Sequence, residues 1–571
     1  MSKSPRKAAE EDLLLASEVV TYGGSSEAAL EERLQSSEQS EQALEASSSS
    51  QNNGEHNESI LSIPGLFGIE SALFLGIFLG SFDGTVTSSS YPTIANEFKA
   101  VDLGSMITVS YLITVCSFQS LYGSFSDVFG RRYCLFFANV VFLVGLCGCS
   151  VAKSMNSLFL WRAITGIGGA GLITLTTIVN SDIVPRSKRG LFQGIQNVFM
   201  SLGNIAGASL GGFICDRFGW RYCFIVQVPV TILATILAYL FVKDQDMSSY
   251  TGRKLERVDI SGSFLLVIGL AVQLSSLYAS TLFRFAIGFG VSALVLSAFL
   301  YNEYLDYVSR DIHHKISIIP FETLKGGSIK LLLTAAGLAG FVNFSYLFIL
   351  PLLFQVEVGD SATKAGFRLA IPATFTAVGS FINGYAMNRN VDNLVILLPL
   401  GLAIVLIGNS LALLIGHQTP SWLIDLLLTP TNLGLGLCYP ALLFSFVFQF
   451  PQNMHATSTT TLFLFRSIGQ VWGVAASSSV ISNVLKIHAT KALKNLGGLS
   501  LEEVKTIVQN SLKSLSYVNE SLHGEVKVAV KESYSYAIRA AQLFTVVVCA
   551  VALAVCFIRL IMKRTNPAIR F

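Results

Sequence analysis

Gly123-Ser124-Phe125-Ser126-Asp127-Val128-Phe129-Gly130-Arg131-Arg132-Tyr133 is the stretch that decides the fold class, and long apolar runs flank it on both sides. Because each run is long enough to cross a bilayer, the stretch is predicted as a short charged turn at a membrane surface. Its two glycines allow the backbone to turn where a Cβ would clash. Its aspartate is able to accept hydrogen bonds from helix-terminal N–H groups or from an arginine. Its adjacent arginines suit a cytosolic face with anionic lipid.

The composition indicates a polytopic membrane protein. Of the 571 residues, 52% are hydrophobic and 13% are charged. Several apolar runs approach twenty residues, the length that crosses ~30 Å of hydrocarbon. The formal net charge of +3 is too small to indicate nucleic-acid binding. The nine cysteines have neither metal-ligand spacing nor a disulfide pattern, so no metal site is predicted.

Residues 1–60 form a polar region dominated by Glu, Ser, Gln and Ala. Such a segment buries too little apolar surface to offset its ordering entropy, so a disordered cytosolic tail is predicted. Within it, Glu10-Glu11-Asp12-Leu13-Leu14-Leu15 is similar to an acidic dileucine sorting signal that adaptor complexes bind. Glu10, Leu14 and Leu15 are the residues of that candidate signal. A chance acidic–leucine cluster in a Glu-rich tail explains the pattern equally well.

The apolar runs predict about fourteen spanning helices, at roughly 66–90, 105–122, 133–152, 157–181, 190–214, 221–242, 259–279, 283–302, 329–357, 364–387, 392–416, 421–449, 456–485 and 536–561. Two six-helix bundles are expected at 61–243 and 329–571, and a linker at 244–328 carries the two extra helices. Positive charge concentrates in alternate turns, which places both termini in the cytosol. The segment 486–535 then faces outward or into a lumen. It contains a candidate glycosylation acceptor, Asn519.

Two ionisable residues inside predicted helices are functional candidates. Asp83 lies well inside the first helix, where hydrocarbon disfavours a charged carboxylate unless a cation pairs with it. The position suits a group that exchanges a proton or binds a cation, or a carboxyl satisfied at an interhelical contact. Arg162 begins a glycine-rich run and stays charged, so it needs an anion, carbonyls or water. An arginine that reaches the interface beside Trp161 is the alternative.

Small residues recur in the fifth helix and in the second half of the chain. Repeated glycines permit bending and close helix packing. In the fifth helix these are Gly203, Gly207, Gly211 and Gly212. Arg466 and Gly469 belong to a second arginine-led, glycine-spaced run, which is expected to mirror the Arg162 run because the halves of many transporters are related repeats.

The spacing of Gly, Asp, Gly, Arg and Arg in the opening stretch resembles the loop between the second and third helices of major facilitator superfamily transporters. Phe125 replaces the usual leucine. The residues Asp83-Gly84-Thr85-Val86, the Arg162 run and the fifth-helix glycines resemble motifs of its fourteen-helix drug:proton antiporter branch. Ala208 occupies the expected proline position of the fifth-helix motif, so the direction of transport does not follow from it.

Within that branch, the chain is most similar to the fungal vacuolar basic amino acid transporters. The passages that carry this similarity include Val179-Asn180-Ser181-Asp182-Ile183-Val184, Gln227-Val228-Pro229 and Leu464-Phe465-Arg466-Ser467-Ile468-Gly469. The resemblance implies an all-α polytopic membrane protein with two six-helix bundles and two inserted helices. It implies proton antiport of Lys, Arg or His into the vacuole, through the vacuolar membrane.

The resemblance also implies residue roles. Asp83 and Arg162 are expected to couple transport to protons, and the fifth-helix glycines, Arg466 and Gly469 to serve packing and gating. A conformational latch is expected at Gly123, Asp127, Gly130, Arg131 and Arg132.

The expected partners are a cationic amino acid, protons, the bilayer and an adaptor complex at the tail, without nucleic acid or a cofactor. Nothing resembles a nucleotide loop, a catalytic triad or a metal cluster, so no enzymatic activity is predicted. A plasma-membrane multidrug or toxin antiporter and a transport-inactive nutrient sensor are the alternatives.

Overall fold

The structure is a computed structural model that describes residues 65–98, 104–185, 188–242, 259–276, 282–308, 318–319, 324–360, 364, 368–416, 419–451, 454–496, 500–513, 517–518 and 522–565. The candidate sorting signal (Glu10, Leu14 and Leu15) and the glycosylation acceptor Asn519 lie outside these residues. Both therefore stay predictions.

The first six helices pack together as one bundle. Their bounds are α1 Leu66–Glu97, α2 Gly104–Phe129, α3 Arg131–Ser150, α4 Met155–Ile183, α5 Arg189–Phe218 and α6 Arg221–Phe241. α1 packs on α5 and α6, and α4 packs between α2 and α3. Gly130 separates α2 from α3 and Gly219 separates α5 from α6, both with φ of 96°, which favours glycine.

The remaining helices form an inserted pair and a second bundle. Their bounds are α7 Ile260–Ser276, α8 Leu282–Val308, α9 Gly327–Leu353, α10 Ala370–Arg389, α11 Leu394–Ala412, α12 Ser421–Val447, α13 His455–Leu496, α14 Leu501–Lys513 and α15 Gly524–Thr565. A π-helical turn, Phe354–Val358, continues α9. The inserted helices α7 and α8 pack on each other, while α9 packs on α13 and α15.

Eleven helices of the described chain are long and apolar enough to span a bilayer. The other three predicted spans are also helical, but α7 is short, and α10 and α13 contain no 18-residue stretch as apolar as those of the eleven. The run His455-Ala456-Thr457-Ser458-Thr459-Thr460-Thr461 at the start of α13 explains its lower hydropathy, because these residues are buried against protein. The fold class predicted from sequence is confirmed. Of the fourteen predicted spans, eleven correspond to helices that are long and apolar enough to cross a bilayer.

The prediction that Gly123–Tyr133 forms a turn is wrong for most of its length. α2 continues to Phe129, and α3 begins at Arg131, so only Gly130 breaks the helices. Gly123 is helical and packs against Thr460 of α13, where a Cβ would lie 2.8 Å from the threonine Cγ2. This glycine serves close approach between helices, and it does not form a turn.

The helices around segment 486–535 extend beyond their predicted bounds. α13 and α15 each contain 42 residues, or roughly 63 Å at 1.5 Å per residue, about twice the hydrocarbon thickness. Their projecting ends pack with α14 into a helical cap. Leu485, Val508 and Val530 are buried in it, and the Tyr534 hydroxyl donates to the Ser511 carbonyl. The extension was missed because amphipathic helices in contact with water lack a continuous apolar run.

Glu97 at the end of α1 binds the start of α6. Trp220 Nε1 donates to Glu97 Oε2 at 2.7 Å, and Arg221 Nη1 donates to Oε1 at 2.9 Å. These bonds hold the pKa of the Glu97 carboxyl below its ordinary value, and the bond from Arg221 has the largest effect. The contact therefore stabilises the fold above the ordinary pKa of glutamate and is lost as pH falls through the lowered value. We call this membrane surface the Glu97 end and the opposite surface the Arg131 end.

The two bundles meet first through α5 and α10. Gly190 lies against Gly384, so closely that a Cβ on Gly190 would be 2.6 Å from the Gly384 Cα. Further into the membrane, Asn197 Nδ2 donates to Ser380 Oγ at 2.7 Å. These residues lie in the first part of α5 and the last part of α10. The contact therefore occupies the Arg131 half of the molecule.

A second contact between the bundles joins α2 to α13, and we call it the α2–α13 seam. It contains the Gly123–Thr460 approach and a hydrogen bond from the Ser467 hydroxyl to Gln119 Oε1 at 2.5 Å. The inserted pair covers this seam, because apolar residues from α7 and α8 form one buried cluster with others from α2 and α13: Leu121, Leu266, Phe299 and Leu464. The linker helices thus contact both bundles.

Gly384→Leu is expected to force α5 away from α10, because the added side chain meets backbone. Overpacking of this kind costs about 1–3 kcal/mol. Asn180 lines a cavity between the bundles at this end, so an Asn180→Cys thiol should react with maleimide several-fold faster when Gly384→Leu is present. Gly290→Leu is the matched control, since a Cβ there meets nothing within 4 Å. Equal reactivity in both backgrounds would refute the role of this contact.

Candidate functional site

Asp83 and Arg162, which were separate candidates in the sequence, form one buried ion pair. Arg162 Nη1 donates to Asp83 Oδ2 at 2.6 Å, and both side chains are 0% exposed. The structure excludes an Arg162 that reaches the membrane interface. Asp83 is satisfied at an interhelical contact, and its partner there is a cation.

Four helices surround the pair. α1 supplies Asp83 and α4 supplies Arg162. From α2, the Tyr111 ring lies 4.5 Å from the guanidinium carbon, and from α6 Gln227 Nε2 lies 3.4 Å from Asp83 Oδ1. Gly169 allows this packing, because a Cβ there would lie 2.7 Å from the Tyr111 hydroxyl. The glycine run after Arg162 therefore explains how α2 reaches the pair.

Burial makes the pair chemically sensitive. Removing one partner of a buried ion pair leaves an uncompensated charge and costs about 3–5 kcal/mol. Protonation of Asp83 has a related effect, since the guanidinium of Arg162 cannot release its proton in exchange. Arg162 Nη2 is also buried without a hydrogen-bond partner.

The pair lies near the Glu97 end. Arg162 is seven residues from the start of α4 at Met155, or roughly 10 Å along the axis. Ile107, whose carbonyl lies 3.5 Å from Arg162 Nε, is near the start of α2 at the same surface. Any proton path to Asp83 is therefore shorter from the Glu97 end than from the Arg131 end.

The predicted latch contains a second ion-pair cluster at the Arg131 end. Arg131 Nη1 donates to Asp127 Oδ1 at 2.6 Å and to Ser126 Oγ at 2.8 Å, while Arg131 Nε donates to Asp182 Oδ2 at 2.9 Å. Asp182, at the end of α4, was not predicted as a site residue. Its position one residue before the α4 terminus was the available signal, because a carboxylate facing a basic loop is a natural partner.

The charged latch residues bind within the first bundle. Asp127, Arg131 and Asp182 come from α2, α3 and α4, and the Arg132 guanidinium carbon lies 4.4 Å from the ring centre of Tyr239 on α6. Gly123 is the member of the latch that contacts the other bundle. The cluster thus fixes the ends of α2, α3 and α4 relative to one another, beside the α2–α13 seam.

The α5 glycines pack inside the first bundle. A Cβ at Gly203 would lie 3.0 Å from the Ser81 Cβ of α1, and one at Gly207 would lie 3.0 Å from the Val86 nitrogen. The Gly211 carbonyl accepts a hydrogen bond from Cys223 of α6 at 3.5 Å, and Gly212 is the next residue of α5. These contacts support the packing role and leave gating as a prediction.

Arg466 does not mirror the Arg162 pair. Its guanidinium carbon lies 4.3 Å from the ring centre of Phe463 and 5.1 Å from that of Tyr439. No carboxylate of the described chain pairs with it. Gly469, one turn later, packs against the backbone of Gly337 in α9. The pseudo-repeat is therefore preserved in helix packing but not in charge compensation.

Asn180 lines a small cavity between the bundles at the Arg131 end, enclosed by α4, α5, α12 and α13. Its lining residues are Thr177, Asn180, Ser181, Arg189, Gln193, Leu443, Phe444, Val447 and Thr459. In the described part of the chain, no three His, Cys, Asp or Glu side chains are grouped to hold a metal ion. The polar points available to a ligand are therefore amide, hydroxyl and guanidinium groups.

Comparisons with known proteins agree with this architecture. Residues 73–474 match the family model described as Major Facilitator Superfamily. The vacuolar basic amino acid transporter 2 of Saccharomyces cerevisiae is 43% identical over 480 residues, covering 80% of this chain and 98% of the relative. The multidrug resistance protein fnx1 of Schizosaccharomyces pombe is 34% identical over 431 residues, covering 74% and 80%.

Among solved structures, a bacterial homolog of the human lysosomal transporter Spinster, inward-facing and unoccupied, shares the fold. The TM-score is 0.57 at 18% identity, and the match covers 89% of this chain and 99% of that one. The helix arrangement, the family model and the close relatives all agree. The chain is a transporter that belongs to the major facilitator superfamily.

Proposed function

We propose that the protein moves the basic amino acids Lys, Arg and His into the vacuole in exchange for protons. The observation that carries this proposal is the 43% identity with a protein named as a vacuolar basic amino acid transporter, across almost the whole of that relative. The fully buried Asp83–Arg162 pair supports the proton coupling, because it gives the first bundle a carboxylate whose charge matters to packing.

Asp83 is the proton site in this proposal, and Arg162 is its electrostatic partner. With both termini in the cytosol, the Glu97 end faces the acidic lumen, and Asp83 lies near it. A lumenal proton that neutralises Asp83 weakens its attraction for Arg162 and rearranges α1, α2, α4 and α6. Alternating access then follows from one bundle rocking against the other, with the substrate between them.

The contacts between the bundles support a conformation closed at the cytosolic surface. The Gly190–Gly384 approach and the α2–α13 seam both occupy the Arg131 half, which faces the cytosol in this topology. The Arg131 cluster acts as the latch, since it aligns α2 and α4 beside the seam. When α2 and α13 separate at this seam, substrate enters from the cytosol.

Drug efflux at the plasma membrane is the second candidate, and the 34% identity with a multidrug resistance protein favours it. It uses the same fold and the same proton chemistry. The two functions differ in cargo and in membrane, because fold alone does not determine substrate. Uptake of labelled lysine by isolated vacuoles, with and without a proton gradient, separates them.

Asp83→Asn is expected to abolish proton-driven lysine uptake, because the amide cannot exchange a proton and leaves Arg162 without its counter-charge. The measurement is labelled lysine uptake into vacuolar vesicles energised by ATP, normalised to the amount of transporter. Glu97→Gln is the matched control, since it removes a carboxylate from the same helix at the membrane surface. It should retain uptake.

A second variant separates lost coupling from lost folding. Asp83→Asn combined with Arg162→Gln removes both charges, so it should accumulate to a higher level than Asp83→Asn alone while uptake stays absent. Normal gradient-dependent uptake in either variant would contradict the assignment of Asp83 as the proton site.

Leu14→Ala with Leu15→Ala is expected to redirect a fluorescently tagged chain from the vacuolar membrane to the plasma membrane, because the adaptor complex loses its apolar contact. Leu13→Ala is the control, because it keeps the acidic residues and the two leucines of the candidate signal. A double variant that still reaches the vacuole would exclude this signal as the sorting determinant.

A further inference from the structure

Arg466 in α13 is a half-buried cation that pairs with no carboxylate of the described residues. Gly340 of α9 makes room for its side chain, because a Cβ there would lie 3.1 Å from the Arg466 Cγ. Its ionisable neighbours are Tyr439 and Cys438, which are neutral at neutral pH. The Arg466 Nε has no hydrogen-bond partner. Aromatic rings compensate only part of the cost of holding a guanidinium away from water.

Two arginines of the first bundle have carboxylate partners, whereas an arginine of the second bundle has a hydroxyl partner. Arg162 has Asp83, and Arg131 has both Asp127 and Asp182. Arg559, a buried arginine of the second bundle, donates from Nε to Ser328 Oγ at 3.2 Å. Arg466 therefore carries a full charge and an unsatisfied Nε donor, and no carboxylate of the described residues pairs with it.

Arg466 lies beside the contact between the bundles. Its side chain is half-buried, as are those of Tyr439 and Asn343, which face each other beside it. The next residue, Ser467, forms the hydrogen bond to Gln119 across the α2–α13 seam. An anion bound to Arg466 would therefore lie next to the contact that must break when the transporter opens.

We propose that Arg466 binds the α-carboxylate of the transported amino acid, an inference that rests on the proposed function. The carboxylate supplies the missing counter-charge and accepts from Nε and from a terminal nitrogen in the fork geometry that guanidinium favours. Among the described residues, the side chains recorded against the guanidinium are aromatic rings, so the position suits a monoanion better than a phosphate. Tyr439 and Asn343 supply further polar contacts at the same point.

The test compares L-lysine with cadaverine, which has the same carbon chain and both ammonium groups but no carboxylate. In the wild-type protein, cadaverine should compete with labelled lysine uptake at least about tenfold more weakly, the loss expected for one charge-assisted interaction. In Arg466→Gln, the affinity for lysine should fall to that for cadaverine. Arg559→Gln is the matched control for loss of a buried guanidinium in the same bundle, and it should keep the preference for lysine.

Thermal stabilisation of the purified full-length chain by lysine and by cadaverine gives a second readout that needs no transport. If Arg466→Gln does not accumulate, Arg466→Lys is the variant to test, because it keeps the positive charge but loses the two parallel donors of the guanidinium. It should lower the affinity for lysine and leave the affinity for cadaverine unchanged. A variant that keeps the wild-type preference for lysine would overturn the role of Arg466. A wild-type protein that neither transports nor is stabilised by lysine, arginine or histidine would overturn the proposed function itself.

Discussion

The charge of Arg162 is the constraint on which the first bundle depends. A guanidinium does not lose its proton inside a membrane, so the chain must supply an anion, and Asp83 supplies it at 2.6 Å. α4 carries this arginine near one end and Asp182 at the other, twenty residues or roughly 30 Å away. One continuous helix therefore joins the buried pair to the Arg131 cluster, so a rigid displacement of α4 moves both.

The two bundles are held internally and against each other by different forces. Inside the first bundle, charged pairs such as Arg162–Asp83 and Arg131–Asp182 fix the helices. Between the bundles, the contacts are glycine approaches and neutral hydrogen bonds, such as that from Asn197 to Ser380. Neutral contacts leave no unpaired charge when they separate, so the interface opens at lower cost than the interior. This difference suits bundles that move as rigid bodies.

The sequence predicted the fold class, the approximate positions of the helices and the location of Asp83 and Arg162 inside helices, because long apolar runs and intramembrane charges are strong local signals. It did not predict that these two residues pair, since 79 positions separate them. Asp182 was overlooked because a carboxylate at a helix end looks like a surface residue. The continuous helix through Gly123 was missed because glycine suggests a turn, whereas here it admits Thr460 of the other bundle.

α13 passes through the seam and then projects beyond the bilayer as part of the cap. Ser467 and the cap residue Leu485 lie on the same uninterrupted helix, 18 residues or about 27 Å apart. Because a helix transmits axial rotation and tilt along its length, movement at the seam displaces the cap in the aqueous phase. The position of the cap therefore depends on the conformation of the transport pathway. A molecule that binds the cap from the aqueous side would stabilise one arrangement of the bundles.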